Sequence, residues 1–180
     1  MSQPAIRIDN QPDQAALKWY AVHTRSRHED AVGHRLNSRS LEVFLPKVEV
    51  WSRRLDRRKR IQLPLFRGYL FVRANLDRPT WSEIVRTSGV VRVLGNSEGA
   101  VPVPEWQIES LRTLLDGNVL ITPHPYLRVG RRVRVVHGPL AGCEGILLRK
   151  THQDTRLVIA VDIIRHAVSV EIDAADVEPA

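Results

Sequence analysis

The pattern of the chain changes at residue 129, and this change restricts the possible folds more than any other feature. From there onward every predicted element is a short strand, and glycine, proline or polar turns separate the strands. In the stretch VGRRVRVVHGPLAGCEGIL (129–147), Gly138 and Gly142 suit a turn that needs positive φ, and Gly145 lets another backbone approach closely. About fifty residues of this kind predict a small curved β-barrel.

Before residue 118 the chain alternates between strand-like and helix-like periods. The predicted order is strand, helix, strand, strand, helix, strand and a final helix, which matches the split βαβ layout of an antiparallel sheet backed by helices. LEVFLPKVEVW and IQLPLF flank a basic segment and predict a long hairpin with a charged tip. We therefore predict an α+β chain, with the split βαβ sheet first and the barrel second.

Local signals place the ends of the helices. Ser26 and Glu29 have the spacing of a capping box, as do Thr80 and Glu83, and Gly117 suits the end of the third helix. The side chains predicted to form the buried helix faces are, in chain order, Ala31, Val32, Leu36, Trp81, Ile84, Val85, Ile108, Leu111 and Leu115.

Breaks in periodicity set the predicted domain boundaries. NVLITPHPYLR contains Pro123 and Pro125 and lacks a clear period, so the boundary between the domains belongs there. The predicted organisation is a flexible tail (1–17), a first domain (18–117), a linker (118–127) and a second domain (128–180).

The positive charge of the chain is concentrated in one segment. The formal net charge is +7, and RRLDRRKR (53–60) holds six basic residues and one acid. Such a segment attracts phosphate or acidic protein surfaces through its long-range field, so nucleic acid is the leading class of partner; a solvated hairpin tip is the alternative. The candidate nucleic-acid contacts here are Arg53, Arg54, Arg57, Arg58, Lys59 and Arg60.

Composition argues against several other classes. No run approaches the roughly 18 apolar residues of a membrane-spanning helix, so we expect a cytoplasmic protein without membrane contact. The single cysteine, Cys143, excludes an internal disulfide and a zinc site built from several thiolates. The histidines lack metal-binding spacing and no nucleophile motif is present, so we expect no enzyme, cofactor or metal.

Two parts of the chain resemble one known family. VGRRVRVVHGPLAGCEGILLRK is similar to the KOW motif of NusG-family transcription factors, approximately V-x-G-x-x-V-x-V-x-x-G-P-[LF]-A-x-x-x-G-x-V. WYAVHT, PLFRGYLFV, GVVRVLG and VPVPEWQIESL resemble, in that order, signatures of the N-terminal NusG domain. The resemblance covers residues 19–179 and implies that the barrel is an SH3-like KOW domain.

This resemblance implies a monomeric factor that rides on RNA polymerase and suppresses pausing or termination. An apolar concavity on the first domain would receive the tip of the polymerase clamp helices, and the KOW domain would recruit other proteins. The residues that match the polymerase-binding positions are His23, Phe66, Tyr69, Ile108 and Leu111. From the residue pattern alone, Phe66 and Tyr69 fit a core equally well.

The same resemblance implies further contacts. Thr80 and Ser82 match the region that touches the opposite side of the polymerase cleft, although Thr80 is equally a helix cap. Arg35 and Arg39 share a face of the first helix on which relatives contact DNA in the transcription bubble. The implied nucleic-acid partners are nontemplate or upstream DNA and nascent RNA.

Ile164 stands where the housekeeping members carry a phenylalanine that meets a small-subunit ribosomal protein or the termination factor Rho. Together with the basic segment, the lost ring favours a specialised paralogue. A helical hairpin is the alternative structure for the second domain, and the β-branched alternation favours the barrel.

An RNA-binding protein is the alternative function. RGYLFVRA (67–74) comes close to the RNP1 pattern of RRM sheets. Leu70 replaces Gly or Ala of that pattern, and Ala74 replaces an aromatic ring on which a base would stack. Such a protein would combine an RRM-like sheet with a KOW barrel and act without polymerase.

Overall fold

The structure is a computed structural model that describes residues 17–51, 59–117, 119–124, 130–149 and 155–180. Its helices are α1 (Glu29–Asn37), α2 (Arg78–Val85) and α3 (Glu105–Asp116). The strands before α3 are β1 (Lys18–Thr24), β2 (Glu42–Phe44), β3 (Lys47–Trp51), β4 (Arg60–Pro64), β5 (Tyr69–Ala74), β6 (Val90–Val93), β7 (Gly95–Asn96), β8 (Gly99–Ala100) and β9 (Pro102–Val103). The strands after α3 are β10 (Thr122–His124), β11 (Arg131–Val135), β12 (Glu144–Arg149), β13 (Thr155–Val161), β14 (His166–Glu171) and β15 (Val177–Pro179).

The first sheet is antiparallel, with β1 and β5 at its centre. Its order is β2-β5-β1-β6, and β9 pairs with the beginning of β1. Successive residues of β1 point to opposite faces, so that Trp19 and Ala21 join one buried cluster and Val22 joins the other. The two central strands are therefore covered on both faces.

Different elements cover the two faces of this sheet. On one face Val32 of α1 and Ile84 of α2 pack with Leu70 and Val72 of β5. On the other face α3 and the barrel pack over Trp19, Phe71 and their neighbours. This arrangement confirms the predicted α+β class with a split βαβ sheet.

β3 and β4 form a separate two-stranded hairpin, in register from Lys47 opposite Pro64 to Trp51 opposite Arg60. The predicted long hairpin is confirmed. Its tip, residues 52–58, lies outside the described residues, and so do the predicted contacts Arg53, Arg54, Arg57 and Arg58.

The second sheet is the predicted barrel, with the antiparallel order β10-β14-β13-β12-β11-β15. The glycines serve the geometry that the sequence predicts. Gly138 and Gly142 have φ of 78° and 89° in the turn between β11 and β12. A Cβ on Gly145 would lie 2.6 Å from the carbonyl oxygen of Val158, so only glycine allows β13 this close. The second domain is therefore the barrel and not a helical hairpin.

The predicted helix signals are partly wrong. No side chain caps α1 at its N-cap residue His28, and the carboxylate of Glu29, which a capping box would direct to Ser26, accepts instead from the backbone N–H of Gly68 at 2.7 Å. The N-cap of α2 is Asp77, whose carboxylate accepts from the N–H of Thr80 at 2.8 Å. The capping boxes therefore do not form, whereas α3 does end at Gly117 as predicted.

Two predicted core positions also differ. Trp81, on α2, is 37% exposed and is not part of the buried face of that helix. At the end of α3 the fully buried leucine is Leu114 and not Leu115. Strand β10 lies inside the interval 118–127 that the sequence assigns to a linker, and it pairs with β14. None of the helices in the described ranges is long and apolar enough to cross a membrane.

Candidate interaction surface

The end of β1 and the turn before β5 bring three of the predicted contact residues together. His23 lies opposite Tyr69 in the sheet register, and their rings stack with centroids 5.1 Å apart. Phe66 is 2% exposed and meets Phe71 edge-on at 6.3 Å. Gly68, at φ 81°, forms the turn between Phe66 and Tyr69 and bonds its carbonyl to the N–H of Thr24 at 2.8 Å.

Helix α3 adds the apolar part of the same surface. Ile108 and Leu111 are fully buried and belong to the same cluster as Phe66, with Tyr69 packed against it. We call His23, Phe66, Tyr69, Ile108 and Leu111 together the aromatic surface. The structure thus brings together all the residues that the sequence analysis assigned to the polymerase clamp.

The barrel covers the aromatic surface. The ring of His166, at the start of β14, lies 5.9 Å from the ring of Phe66 and 5.4 Å from that of Tyr69. Ile164, the predicted recruitment residue of the barrel, is only 5% exposed and joins the same buried cluster. Predicted binding residues of both domains therefore meet in one contact between the domains, in which Phe66 and Ile164 are buried and Tyr69 is half-buried.

Polar groups fix the docking of the barrel on α3. Ser110, 2% exposed, accepts from the N–H of Glu144 through its hydroxyl at 2.8 Å and from the thiol of Cys143 through its carbonyl at 3.3 Å. Gln107 donates through its side-chain amide to the carboxylate of Asp162 at 3.1 Å. The two bonds of Ser110 join groups that are buried on both sides, so they help to fix the register of the contact.

At the edge of this contact, an arginine of the barrel stacks on a tryptophan of α3. The guanidinium carbon of Arg132, on β11, lies 4.2 Å from the centre of a ring of Trp106 on α3. Glu144 holds that guanidinium at 2.6 Å and also accepts from Arg134, whose hydrogen bond lowers the pKa of the Glu144 carboxyl. The carboxylate therefore positions a cation over the tryptophan.

Burial at the contact also changes the chemistry of the single cysteine. Cys143 is fully buried, and this burial raises the pKa of its thiol from 9.0 to about 11. The thiol is neutral at physiological pH and acts as a donor to Ser110, not as a nucleophile.

The predicted contacts on α1 and α2 lie apart from the aromatic surface. Thr80 and Ser82 are half-buried on α2, which packs on the opposite face of the sheet. Arg35 donates to the carbonyl of Ser88 at 3.0 Å, and Arg39 donates to the hydroxyl of Thr87 at 2.8 Å. Arg35 lies on α1, but Arg39 follows the end of that helix at Asn37, so the prediction that both lie on the first helix is wrong for Arg39. Their contact with DNA stays a prediction.

The β3–β4 hairpin carries the described end of the basic segment. Lys59 and Arg60 are exposed, and Arg60 pairs with Glu49 at 3.0 Å. The sequence analysis missed Trp51, which is 60% exposed and lies under the guanidinium of Arg60. The available signal was a tryptophan at the end of a strand directly before a run of arginines.

The sheet offers no open face for the RRM-like alternative. Phe71, the central aromatic residue of the RNP1-like strand, is fully buried under α3 and the barrel, while Leu70 and Val72 are buried under α1 and α2. Bases stack on RRM sheets only where the aromatic rings are exposed. The described residues also contain no group of three or more His, Cys, Asp or Glu side chains that could hold a metal ion.

Comparison with known proteins identifies the family. A family model described as "Transcription termination factor nusG" matches residues 17–112, more than half of the chain. The chain is 26% identical over 174 residues to the transcription termination/antitermination protein NusG of Pseudomonas aeruginosa, covering 91% of this chain and 98% of that protein. It is 28% identical over 178 residues to the protein of the same name from Escherichia coli strain K12, covering 91% and 96%.

The fold agrees with this assignment. A solved structure concerning domain interaction in Thermotoga maritima NusG matches with a TM-score of 0.52 at 18% identity, covering 91% of this chain and 97% of that one. The matching motifs, the first sheet with its helices and the barrel all lead to the same result. The chain belongs to the NusG family of transcription termination/antitermination factors.

Proposed function

We propose that this protein binds the clamp of RNA polymerase through the aromatic surface and suppresses pausing or termination. Membership of the NusG family supports polymerase as the partner. The surface itself supports a protein ligand, because clustered aromatic side chains are the usual form of an interface hot spot. His23, Phe66 and Tyr69 form such a cluster beside α3.

One observation carries this proposal: the ring of His166 packs on Phe66 and Tyr69. The chain already packs its own second domain on the aromatic surface, and this supports the capacity of the surface to bind another protein. The clamp and the barrel cannot contact the same side chains at the same time, so they compete for the aromatic surface. The contact between the domains must therefore open before the clamp binds.

Opening would also free the barrel. Ile164 is buried in the closed contact, so its recruitment of a small-subunit ribosomal protein or of Rho would require the same step. Because isoleucine replaces the phenylalanine of the housekeeping members, we assign the protein a specialised role. The protein acts by binding and not by catalysis, in the cytoplasm where transcription takes place.

The basic segment would contact nucleic acid next to the polymerase. Lys59 and Arg60 are exposed at its described end, and six of the eight residues in 53–60 are basic. Upstream or nontemplate DNA and nascent RNA all present the phosphates that such a segment attracts. Arg35 on α1 and Arg39 just after it are secondary candidates.

Co-purification of the full chain with core RNA polymerase, followed by a pausing assay, tests the proposal. Tyr69→Ala removes a ring of the aromatic surface without emptying the core, because Tyr69 is only half-buried. We expect its affinity for polymerase to fall by about 30-fold or more, the effect of losing a hot-spot residue. Tyr20→Ala is the matched control, since Tyr20 packs on the opposite face of the sheet. Unchanged binding by Tyr69→Ala would contradict the proposal.

A further inference from the structure

The β3–β4 hairpin presents a large aromatic ring to solvent. Trp51 is 60% exposed, whereas Trp19 is fully buried and Trp81 is 37% exposed. Exposed single aliphatic side chains are ordinary on protein surfaces, but an indole has far more apolar area to cover. A ring left open at this position is therefore available to a ligand.

The ring is held in place by its neighbours. Arg60 lies directly opposite Trp51 in the hairpin register, and its guanidinium carbon is 5.2 Å from the ring centre. Glu49 pairs with the same guanidinium at 3.0 Å, so the carboxylate positions the arginine and the arginine positions the indole. A side chain that is ordered beforehand loses less conformational entropy when a ligand stacks on it.

A groove runs beside this ring. It has a volume of about 620 Å³ and lies between the hairpin and the segment that follows α3, with Val119, Leu120 and Ile121 on the far side. Its size lies within the range of ordinary small-ligand sites. Lys47 and Arg60 also line it, so the groove combines an aromatic ring, apolar walls and cations.

The charge of the surroundings selects the class of ligand. Trp51 directly precedes the stretch SRRLDRRKR, which holds most of the excess positive charge of the chain. Phosphates bind such a segment, and aromatic rings beside it stack on bases in proteins that bind single strands. An acidic protein surface would be attracted by the same charges, and the binding experiment below distinguishes it from nucleic acid.

We propose that Trp51 stacks on an unpaired base of a nucleic acid whose phosphates contact the exposed cations Lys59 and Arg60 on the same hairpin. The base must be unpaired because the bases of a duplex are stacked on each other and present only their edges. The inference rests on the nucleic-acid contact proposed above. It adds that the nucleic acid bound at the hairpin is single-stranded and not duplex. It is independent of the aromatic surface, which lies on α3 and the first sheet.

Binding of labelled oligonucleotides to the full chain tests this assignment. The probes are oligothymidylate and oligouridylate of about 12 nucleotides, within the site size of single-strand binders, and a DNA duplex of the same length. We expect Trp51→Ala to weaken single-strand binding by about 5- to 100-fold, the range for one base–aromatic stack, and to leave duplex binding unchanged. Trp51→Phe should keep most of the affinity, and Trp81→Ala, at another exposed tryptophan, should keep all of it.

The two single strands distinguish the source: tighter binding of oligouridylate indicates RNA, and tighter binding of oligothymidylate indicates DNA. Equal weakening of duplex and single strands, or no weakening of either, would overturn the stacking role of Trp51. A loss of polymerase binding by Trp51→Ala with unchanged oligonucleotide binding would assign the hairpin to a protein partner and also overturn it. Polymerase binding by Tyr69→Ala is measured separately, so failure of one proposal does not imply failure of the other.

Discussion

In the described residues three tryptophans lie under an arginine, and two of them, Trp106 and Trp51, have opposite settings. Trp106 lies under Arg132 where the barrel docks on α3, and the docked barrel buries the neighbouring aromatic surface. Trp51 lies under Arg60 on the hairpin, and the described chain leaves 60% of it exposed. The protein thus has one surface that it covers with its own domain and one that stays open. Access to the first depends on a change of conformation, whereas access to the second does not.

Stability measurements give the largest expected contrast between the two regions. Phe66→Ala empties a site that is 2% exposed, and we expect it to lower the free energy of unfolding by about 3–5 kcal/mol. Trp51→Ala removes a larger ring from a hairpin surface, and we expect a loss below about 1 kcal/mol. Chemical denaturation followed by circular dichroism measures both changes. Similar losses in the two variants would remove the distinction between a covered and an open surface.

Thiol reactivity sharpens the comparison at the covered surface. Ser110→Glu places a larger, charged side chain at a 2% exposed position where α3 meets the barrel, so we expect the domains to separate while each stays folded. The thiol of Cys143 would then regain a pKa near 9.0 in place of about 11, which raises the thiolate fraction at pH 8 by about 100-fold.

We expect the reaction of Cys143 with a thiol reagent to accelerate at least in that proportion. Ser97→Glu is the control, because Ser97 is exposed in the turn between β7 and β8. Slow reaction of the Ser110→Glu variant, with a native circular dichroism spectrum, would mean that Cys143 is protected by the barrel itself and not by the contact with α3.

The sequence predicts the order of the elements and the nature of the second domain because those signals are local. Alternating β-branched residues and turn glycines act within a few positions, as the positive φ of Gly138 and Gly142 illustrates. The grouping of the aromatic surface came from family motifs and is confirmed as a spatial cluster. Its contact with polymerase stays a prediction.

The errors arise where partners are distant in the chain. The capping box at Glu29 fails because its carboxylate bonds to Gly68, 39 residues later. The docking of the barrel on α3 also cannot be predicted from the sequence. Ile108, Leu111 and Ile164 have the pattern of ordinary core residues whichever domain covers them. Trp51 was missed because the adjacent arginines dominated the interpretation of that segment.

The most direct test of the account is the affinity of core RNA polymerase for the full chain and for Ser110→Glu. If the barrel and the clamp compete for the aromatic surface, only the open molecules bind polymerase. The apparent affinity for polymerase is then the affinity of the open form multiplied by the fraction of molecules that are open. We predict that Ser110→Glu binds at least tenfold more tightly than the unchanged chain, and that adding Tyr69→Ala removes this gain. A Ser110→Glu protein that is open by thiol reactivity but binds polymerase no more tightly than the unchanged chain would contradict the account.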